Sequence, residues 1–350
     1  MANLKMQLSC PMPKFDFDTI TLGHGGGGTL TNKLLESGVF NLLSNDLLDE
    51  HHDGAIFSLD GPTAFTTDSF VISPIFFPGG DIGELAVNGT VNDLAMCGAR
   101  PQYLSLSFII EEGLKMDDFW KVLVSIKEAC EVAGVKVITG DTKVVERGKG
   151  DQIFINTTGI GNILPNAMIK MDRVKEGDAV IVSDVIASHG ISIMSVREGL
   201  EFESDILSDT QPLNHIVEGL ITKFGASIHL LKDPTRGGVA AVLNEIARDT
   251  KLGVFLDEKK IPIEEQVKGA CEILGLDPLY VANEGIFIGI VDKEKAEAIV
   301  DHLREIPESA NASIIGRIVI DHPRQVIIRS GIGGKRVVNM LVGEQLPRIC

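Results

Sequence analysis

The chain ends on Cys350, which places a thiol and the α-carboxylate on one residue. The tether before it, Val342-Gly-Glu-Gln-Leu-Pro-Arg348, reads as short and irregular, outside any core. At about 3.3–3.6 Å per extended residue, a tether of this length carries the thiol roughly 25 Å, far enough to visit a partner's active site and return to one on its own protein. Other candidates are carboxylates. Asp53, Asp68 and Asp141 sit at the ends of apolar strands, and Asp93 sits within a helix. Alone, each aspartate is an ordinary turn or cap residue. Converged, they form an oxygen-rich site suited to Mg²⁺ carrying a nucleotide triphosphate. Asn92-Asp93 stands out because the helix from Ala86 to Ala95 is otherwise mostly small and apolar, and a charge is not buried there without a partner.

Basic groups complete the chemistry. Lys143 follows Asp141 and Thr142 on a glycine-containing loop after a buried strand, where it is either a solvated loop lysine or a point charge for a phosphate or developing oxyanion. Asp233-Pro-Thr-Arg236-Gly-Gly leads into a helix whose first N–H groups, with Arg236, suit an anion. Asn283-Glu284-Gly285 precedes a buried strand and would position Glu284 as a base. No GxxxxGK[ST] sequence occurs, so a nucleotide site here is not a Walker A loop.

The elements that must position these residues follow from periodicity. Residues 15–22 alternate as a half-exposed strand, and Gly23-His24-Gly25-Gly26-Gly27-Gly28 leads into a helix from Thr29 to about Leu43. The glycines formally satisfy GxGxxG, but a dinucleotide fingerprint follows a buried apolar strand and this one carries Asp16 and Asp18. The loop can still wrap anionic oxygens with its N–H groups, or serve as a mobile hinge. Strands are expected at 55–59, 64–67, 102–110, 135–139 and 152–160. One helix is expected from Asp81, with Glu84 as capping-box partner, to Met96, and another from about Asp117, with Cys97 and Cys130 as core residues. A turn near Ile163-Leu-Pro-Asn-Ala closes the first half. Beyond it, helices at 188–200, 213–225, 237–249, 263–274 and 293–304 intermix with strands at 179–183, 253–257, 285–291, 313–320 and 324–330. The fold class is α+β in two halves: 1–49 as strand, glycine loop and helix, 50–163 and 164–341 as domains, and 342–350 as a mobile tail.

At 350 residues two domains can each bury a core, and 44% hydrophobic with 23% charged residues is globular composition. A net charge of −17 argues against nucleic acid and against anionic membrane surfaces. Five scattered cysteines without a CxxC pair read as reduced thiols, and no signal-like or membrane-spanning run is present, so a cytoplasmic location is expected.

Six short sequences occur together and in order: Thr-Thr-Asp68-Ser-Phe-Val, Phe-Phe-Pro-Gly-Gly-Asp81-Ile-Gly, Asn-Gly-Thr-Val-Asn-Asp93-Leu-Ala, Thr-Gly-Asp141-Thr-Lys143-Val-Val, Asp233-Pro-Thr-Arg236-Gly-Gly and Asn283-Glu284-Gly. With the terminal Pro-Arg-Ile-Cys350, the chain resembles the HypE family of hydrogenase maturation proteins from about residue 20 to its end. The six sequences are shared more widely with aminoimidazole ribonucleotide synthetase, selenophosphate synthetase and thiamine-monophosphate kinase, whereas the terminal four residues are the specific element. The resemblance implies two α/β domains, the first pairing across a homodimer into a shared β-barrel. It also implies ATP and Mg²⁺ as cofactors, with Asp53, Asp68, Asp93 and Asp141 at the Mg–ATP positions. Asn92, Thr142 and the loop glycines Gly25, Gly26 and Gly27 would lie beside the nucleotide. Lys143 and Glu284 would flank a carboxamide on Cys350, and Arg236 would contact phosphate. The implied activity is carbamoyl dehydration: HypF loads the thiol, the chain converts the carboxamide to a thiocyanate, and the HypC–HypD complex receives the cyanide for the iron of [NiFe] hydrogenase. A small-molecule phosphotransferase or synthetase with an incidental tail, and a non-catalytic thiol carrier, are the alternatives.

Overall fold

The computed structural model describes residues 10–50, 52–200, 206–343, 346 and 348–350. After the glycine loop, helix α1 (Thr29–Leu34) passes through a π-turn, Leu35–Phe40, into α2 (Asn41–Leu43). Then follow β1 (Thr63–Phe70), a small hairpin of β2 (Phe76–Phe77) and β3 (Gly80–Asp81), α3 (Ile82–Met96), β4 (Ala99–Glu111), α4 (Met116–Ala133), β5 (Lys136–Val145) and β6 (Ile153–Ile163). The four long strands are ordered β1-β6-β4-β5, antiparallel except for β4 with β5. Alternation along β4 turns Leu104, Leu106, Phe108 and Ile110 toward the core while Ser105, Ser107 and Ile109 face the other way. That second face is open: Phe65 is 72% and Ile109 47% exposed.

The two halves meet at α3. Asp81 caps it, accepting from Gly83 N–H at 2.6 Å and Glu84 N–H at 3.2 Å. Every α3 residue except Glu84 and Asp93 is buried, so the helix is apolar on nearly all sides, as a helix enclosed by protein must be. Its small residues permit that enclosure, since a Cβ on Gly83 would lie 2.5 Å from the Val122 carbonyl oxygen of α4. Asn92 joins the halves. Its Nδ2 donates to the carbonyls of Gln211 at 3.0 Å and Glu284 at 3.1 Å, and its Oδ1 accepts from Leu213 N–H at 2.7 Å.

The second half opens with β7 (Ala179–Val182), α5 (Ser188–Glu198), α6 (Asn214–Phe224), β8 (Ile228–Lys232), α7 (Gly238–Thr250) and β9 (Gly253–Asp257). It closes with α8 (Glu265–Leu274), β10 (Ile288–Val291), α9 (Ala296–Arg304), β11 (Ser313–Val319), β12 (Val326–Arg329) and β13 (Lys335–Val338). The seven-stranded sheet runs β13-β12-β9-β11-β7-β10-β8, with β12 and β9 its parallel pair. Strands β7 and β10 are buried along their whole length, as four consecutive apolar or glycine positions require. No helix among the described residues is long and apolar enough to cross a membrane.

Several expectations fail locally. Residues 15–22 form no strand. Thr19 makes a lone bridge to Lys115, and the segment is held by Ile20 N–H to Leu114 O at 2.8 Å beside the start of α4. Residues 55–59 are irregular, with Ile56 76% exposed, because no neighbouring strand pairs with them. Asp141, Thr142 and Lys143 lie within β5, not on a loop, since β4 pairs with β5 past Gly140 and overrides its turn-like composition. Cys97 is exposed at the end of α3, while Cys130 is buried. Strands β8 and β13 carry too little period-2 signal to be read from sequence.

Asn92→Ala strips three backbone groups of their partner at once. We expect about 2–4 kcal/mol lower stability, read as a lower urea midpoint at unchanged slope.

Candidate functional site

The first group of functional side chains lies where the halves face each other. Asp68 on β1 and Asp93 on α3 are neighbours: a Cβ on Gly89, one turn before Asp93, would sit 3.9 Å from Asp68 Oδ2. Thr66 Oγ1 donates to Asp93 Oδ2 at 2.7 Å. From the second half come Asp233 and Arg236, between β8 and α7, Glu284 ahead of β10, and Asp209 ahead of α6. Glu284 N–H reaches both Asp209 oxygens, at 3.1 and 3.3 Å. Asn283 ties these loops together, accepting from Ala187 N–H at 2.7 Å and donating to the Pro234 carbonyl at 2.8 Å. Asn92, expected beside the nucleotide, instead has its amide committed to backbone groups of the second half, including the Glu284 carbonyl.

Burial and mutual repulsion push these carboxyls upward in pKa. Asp233 rises to about 7, through burial first and then the Asp93 charge. Asp209 rises to about 6 through burial. Glu284 stands well above the usual range through burial, then Asp209, Asp233, Asp68 and Asp93. Burial also raises Asp68 and Asp93, opposed for Asp68 by the Ser69 N–H and Arg236 and for Asp93 by the Thr66 hydroxyl. Glu284 Oε1 is buried without a hydrogen-bond partner. This chemistry fits a hard divalent cation, for which Asp68 and Asp93 are suitable oxygen donors. Among the described residues no three His, Cys, Asp or Glu side chains are grouped to hold a metal.

A second group lies under the glycine loop. Gly25, Gly27, Thr31, Asp141, Thr142 and Lys143 line a cavity of about 220 Å³. A Cβ on Gly25 would sit 2.7 Å from Val144 N, so only glycine lets the loop lie on β5. Gly26 is exposed on the same loop. His24 is buried: its Nδ1 accepts from Thr21 N–H at 3.0 Å, and burial lowers its pKa. Lys143 Nζ pairs with the Asp141 carboxylate and holds that carboxyl below its usual range. The sheet separates the two groups. Register runs Asp68, Thr157, Leu106, Gly140 across β1-β6-β4-β5, three strand spacings or about 14 Å. Asp53 lies on an exposed bend and joins neither group.

The tail is not free. Leu346 is 8% and Ile349 2% exposed, and Leu346 and Ile349 line a cavity of about 260 Å³ with Arg236 and Gly237. A Cys350 carboxyl oxygen accepts from Val71 N–H at 3.1 Å, just past the end of β1, whose Asp68 belongs to the acidic group. Glu344, Gln345 and Pro347 of the expected mobile tether lie outside the described residues. Sequence reading missed Asp209 and Asp233 as site members. Asp233 at least opens the Asp-Pro-Thr-Arg sequence, whereas Asp209 sits in a polar stretch without a local signal.

The chain matches two family models: "AIR synthase related protein, N-terminal domain" over residues 51–163, and the corresponding C-terminal domain over residues 175–328. The carbamoyl dehydratase HypE of Azotobacter vinelandii is 48% identical over 333 residues, covering 95% of this chain and 97% of the relative. A crystal structure of the hydrogenase maturation protein HypE in complex with ATP superposes with a TM-score of 0.91 at 47% identity, covering 95% of this chain and 100% of that one. A HypE–HypF complex superposes at 0.78 with 43% identity over 90% of this chain and 100% of that one.

The raised pKa of Asp233 has a thermodynamic consequence. A carboxyl whose folded-state pKa lies above its unfolded value favours the fold when protonated, and that contribution is lost as pH rises through about 4 to 7. In protein free of nucleotide and metal, Asp233→Asn should therefore be the more stable protein at pH 8, by about 2–4 kcal/mol, with the gap closing toward pH 4.5. Thermal unfolding across that pH range reads it.

Proposed function

The chain belongs to the AIR synthase related family and, within it, to the HypE carbamoyl dehydratases; on that footing we propose that it uses ATP to dehydrate a carboxamide carried on its own Cys350 to a thiocyanate. The product supplies the cyanide ligand of the [NiFe] hydrogenase iron. The observation that carries this reading is the seating of Cys350 against Val71, three residues beyond Asp68 of the acidic group, with Ile349 and Arg236 lining one cavity.

The chemistry asks for what these groups offer. Amide oxygen is a poor leaving group, so it is first phosphorylated. Loss of the N–H proton then expels phosphate and leaves the C≡N bond. Glu284 is the base in this reading: its buried carboxylate has high proton affinity, which a weakly acidic N–H requires. Mg²⁺ held by Asp68 and Asp93 would offset the polyphosphate charge and lower the proton affinity of the cluster. Arg236, exposed at the cluster's edge and able to draw down Asp68, suits a phosphate oxygen.

Lys143, Asp141, Thr142 and the glycine loop stand about three strands from Asp68 of the acidic group. A homodimer closing the two open sheet faces into one barrel would bring one copy's glycine loop toward the other's acids, and the exposed Phe65 and Ile109 support such a face. Lys143 would then leave Asp141 to stabilise the amide oxygen. Asp53 joins the ATP site only in such an assembly. The solved HypE–HypF complex supports HypF as the carbamoyltransferase that loads the thiol, and family resemblance supports HypC–HypD as the acceptor.

Intact mass after incubation with HypF, carbamoyl phosphate and ATP tests the reading. The wild type should gain a carboxamide on Cys350 and then lose one water, while Cys350→Ala gains nothing. Glu284→Gln should load normally and dehydrate about 10²–10⁴-fold more slowly. Dehydration at the native rate would remove the base role, and an adduct that never loses water in the wild type would leave only a carrier.

A further inference from the structure

Every backbone polar group of Glu284 and Gly285 is held by a side chain from elsewhere in the sequence. Glu284 N–H reaches both Asp209 oxygens, at 3.1 and 3.3 Å, and Gly285 N–H donates to the same carboxylate. The Glu284 carbonyl accepts from Asn92 Nδ2 at 3.1 Å, and the Gly285 carbonyl accepts from Gln211 Nε2 at 2.7 Å. The approach is close enough to require glycine, since a Cβ on Gly285 would lie 1.6 Å from the Asp209 carbonyl oxygen. The gripping segment is itself fixed. Ser208 N–H donates to the Pro78 carbonyl at 2.8 Å in the β2–β3 hairpin. Thr210 Oγ1 accepts from Asn88 of α3 at 3.3 Å, and the Gln211 carbonyl accepts from Asn92 Nδ2 at 3.0 Å.

Glu284 is therefore aimed by its backbone and not by a partner of its carboxyl, whose Oε1 is buried without a hydrogen bond. Of the three side chains that hold this backbone, only Asp209 carries a charge. Four carboxyls face Glu284: Asp209 ahead of α6, Asp233 after β8, Asp68 on β1 and Asp93 on α3. After burial, Asp209 raises its proton affinity most. Asp209 in turn meets the charge of Asp184, beyond β7, while Arg236 draws Asp68 down. A cation on Asp68 and Asp93 would offset their charges. The Asp209 oxygens are spent on N–H groups, so its charge stays beside Glu284.

We propose that Asp209 is the positioning residue of the base: its carboxylate grips the Glu284–Gly285 backbone that aims Glu284, and it sets a fixed negative charge beside the Glu284 carboxyl. The inference rests on Glu284 as the base of dehydration. Asp209 touches no reacting atom and acts through Glu284. The two parts of the role differ in their dependence on pH. A grip changes how often the base is in place and scales the rate by one factor at every pH. A like charge changes the proton affinity of the base, so its removal lets Glu284 stay ionised to lower pH and moves the acid limb of the rate downward.

The test uses the full chain carrying its carboxamide, loaded by HypF at one pH and then mixed with ATP and Mg²⁺ over about pH 5.5–9, with water loss read in a single turnover. Asp209→Asn should move the acid limb down by about one pH unit and lower the plateau about tenfold. Gln211→Ala releases the Gly285 carbonyl and changes no charge, so it should lower the plateau about threefold and leave the limb in place. In the Glu284→Gln background, Asp209→Asn should change the rate less than about twofold, because it acts through that one group. Folding does not confound the result: burial raises the Asp209 carboxyl to about 6, so a neutral side chain is tolerated above that pH. A limb that Asp209→Asn leaves in place, or that Gln211→Ala moves as far, overturns the proposal. Dehydration by Glu284→Gln at the native rate removes the base reading itself, a result that no behaviour of Asp209→Asn can mimic.

Discussion

One buried amide ties the two halves of this protein together at α3. Asn92 sits on a helix with almost no solvent-facing side, and all three of its hydrogen bonds go to backbone groups of the other half. Because a buried amide left unpaired is costly, arrangements of the helix and the second half that break these bonds are disfavoured. That arrangement fixes the Glu284 backbone opposite Asp93, the neighbouring residue, which points out of the same helix. The acidic group is therefore a consequence of how the halves are bolted together, and not of any one loop.

Gathering carboxyls in a partly dry cleft works against folding, and the raised pKa values of Asp233, Asp209 and Glu284 measure that tension. The same tension makes the site receptive. Like charges held close by a rigid frame gain most from a cation, and Glu284 Oε1, without a partner, gains most from a proton donor arriving beside it. The frame is rigid where it matters: Asn283 and Asn92 each tie their own backbone environment to a loop from elsewhere in the chain. Electrostatic stabilisation of this kind needs no rearrangement at the moment of reaction.

The tail belongs to this frame when it is seated. Its carbonyls accept from donors of both halves, so it bridges the two as Asn92 does. The glycine loop and Lys143 remain apart, on the far edge of the four-stranded sheet, and Lys143 is for now spent on Asp141. One chain thus presents two incomplete groups and an open sheet face between them, an organisation that suits assembly into a larger whole.

Much of this was legible in the sequence, for identifiable reasons. The cap of α3, the 3.6-residue apolar stripe of α4, the apolar runs of β7 and β9, and the order of the short aspartate sequences with their terminal Arg-Ile-Cys are local properties, and they indicated two α+β halves and an ATP-linked site. What failed to show was decided by neighbours. Asp141 and Lys143 read as a loop because only pairing with β4 makes Gly140-Asp141 a strand. Asn92 read as a ligand because nothing local reveals three backbone partners more than a hundred residues away. Asp209 was silent because its significance is an N–H from Glu284, and the groups that meet residues 348–350 were silent because they come from positions 71–73, 151, 189 and 197. Periodicity, caps and turn chemistry are written in adjacent residues, so sequence determined the elements and the kinds of chemistry on offer. Contacts between distant segments depend on how buried polar groups are satisfied in three dimensions, and only the tertiary structure decided which of those residues meet.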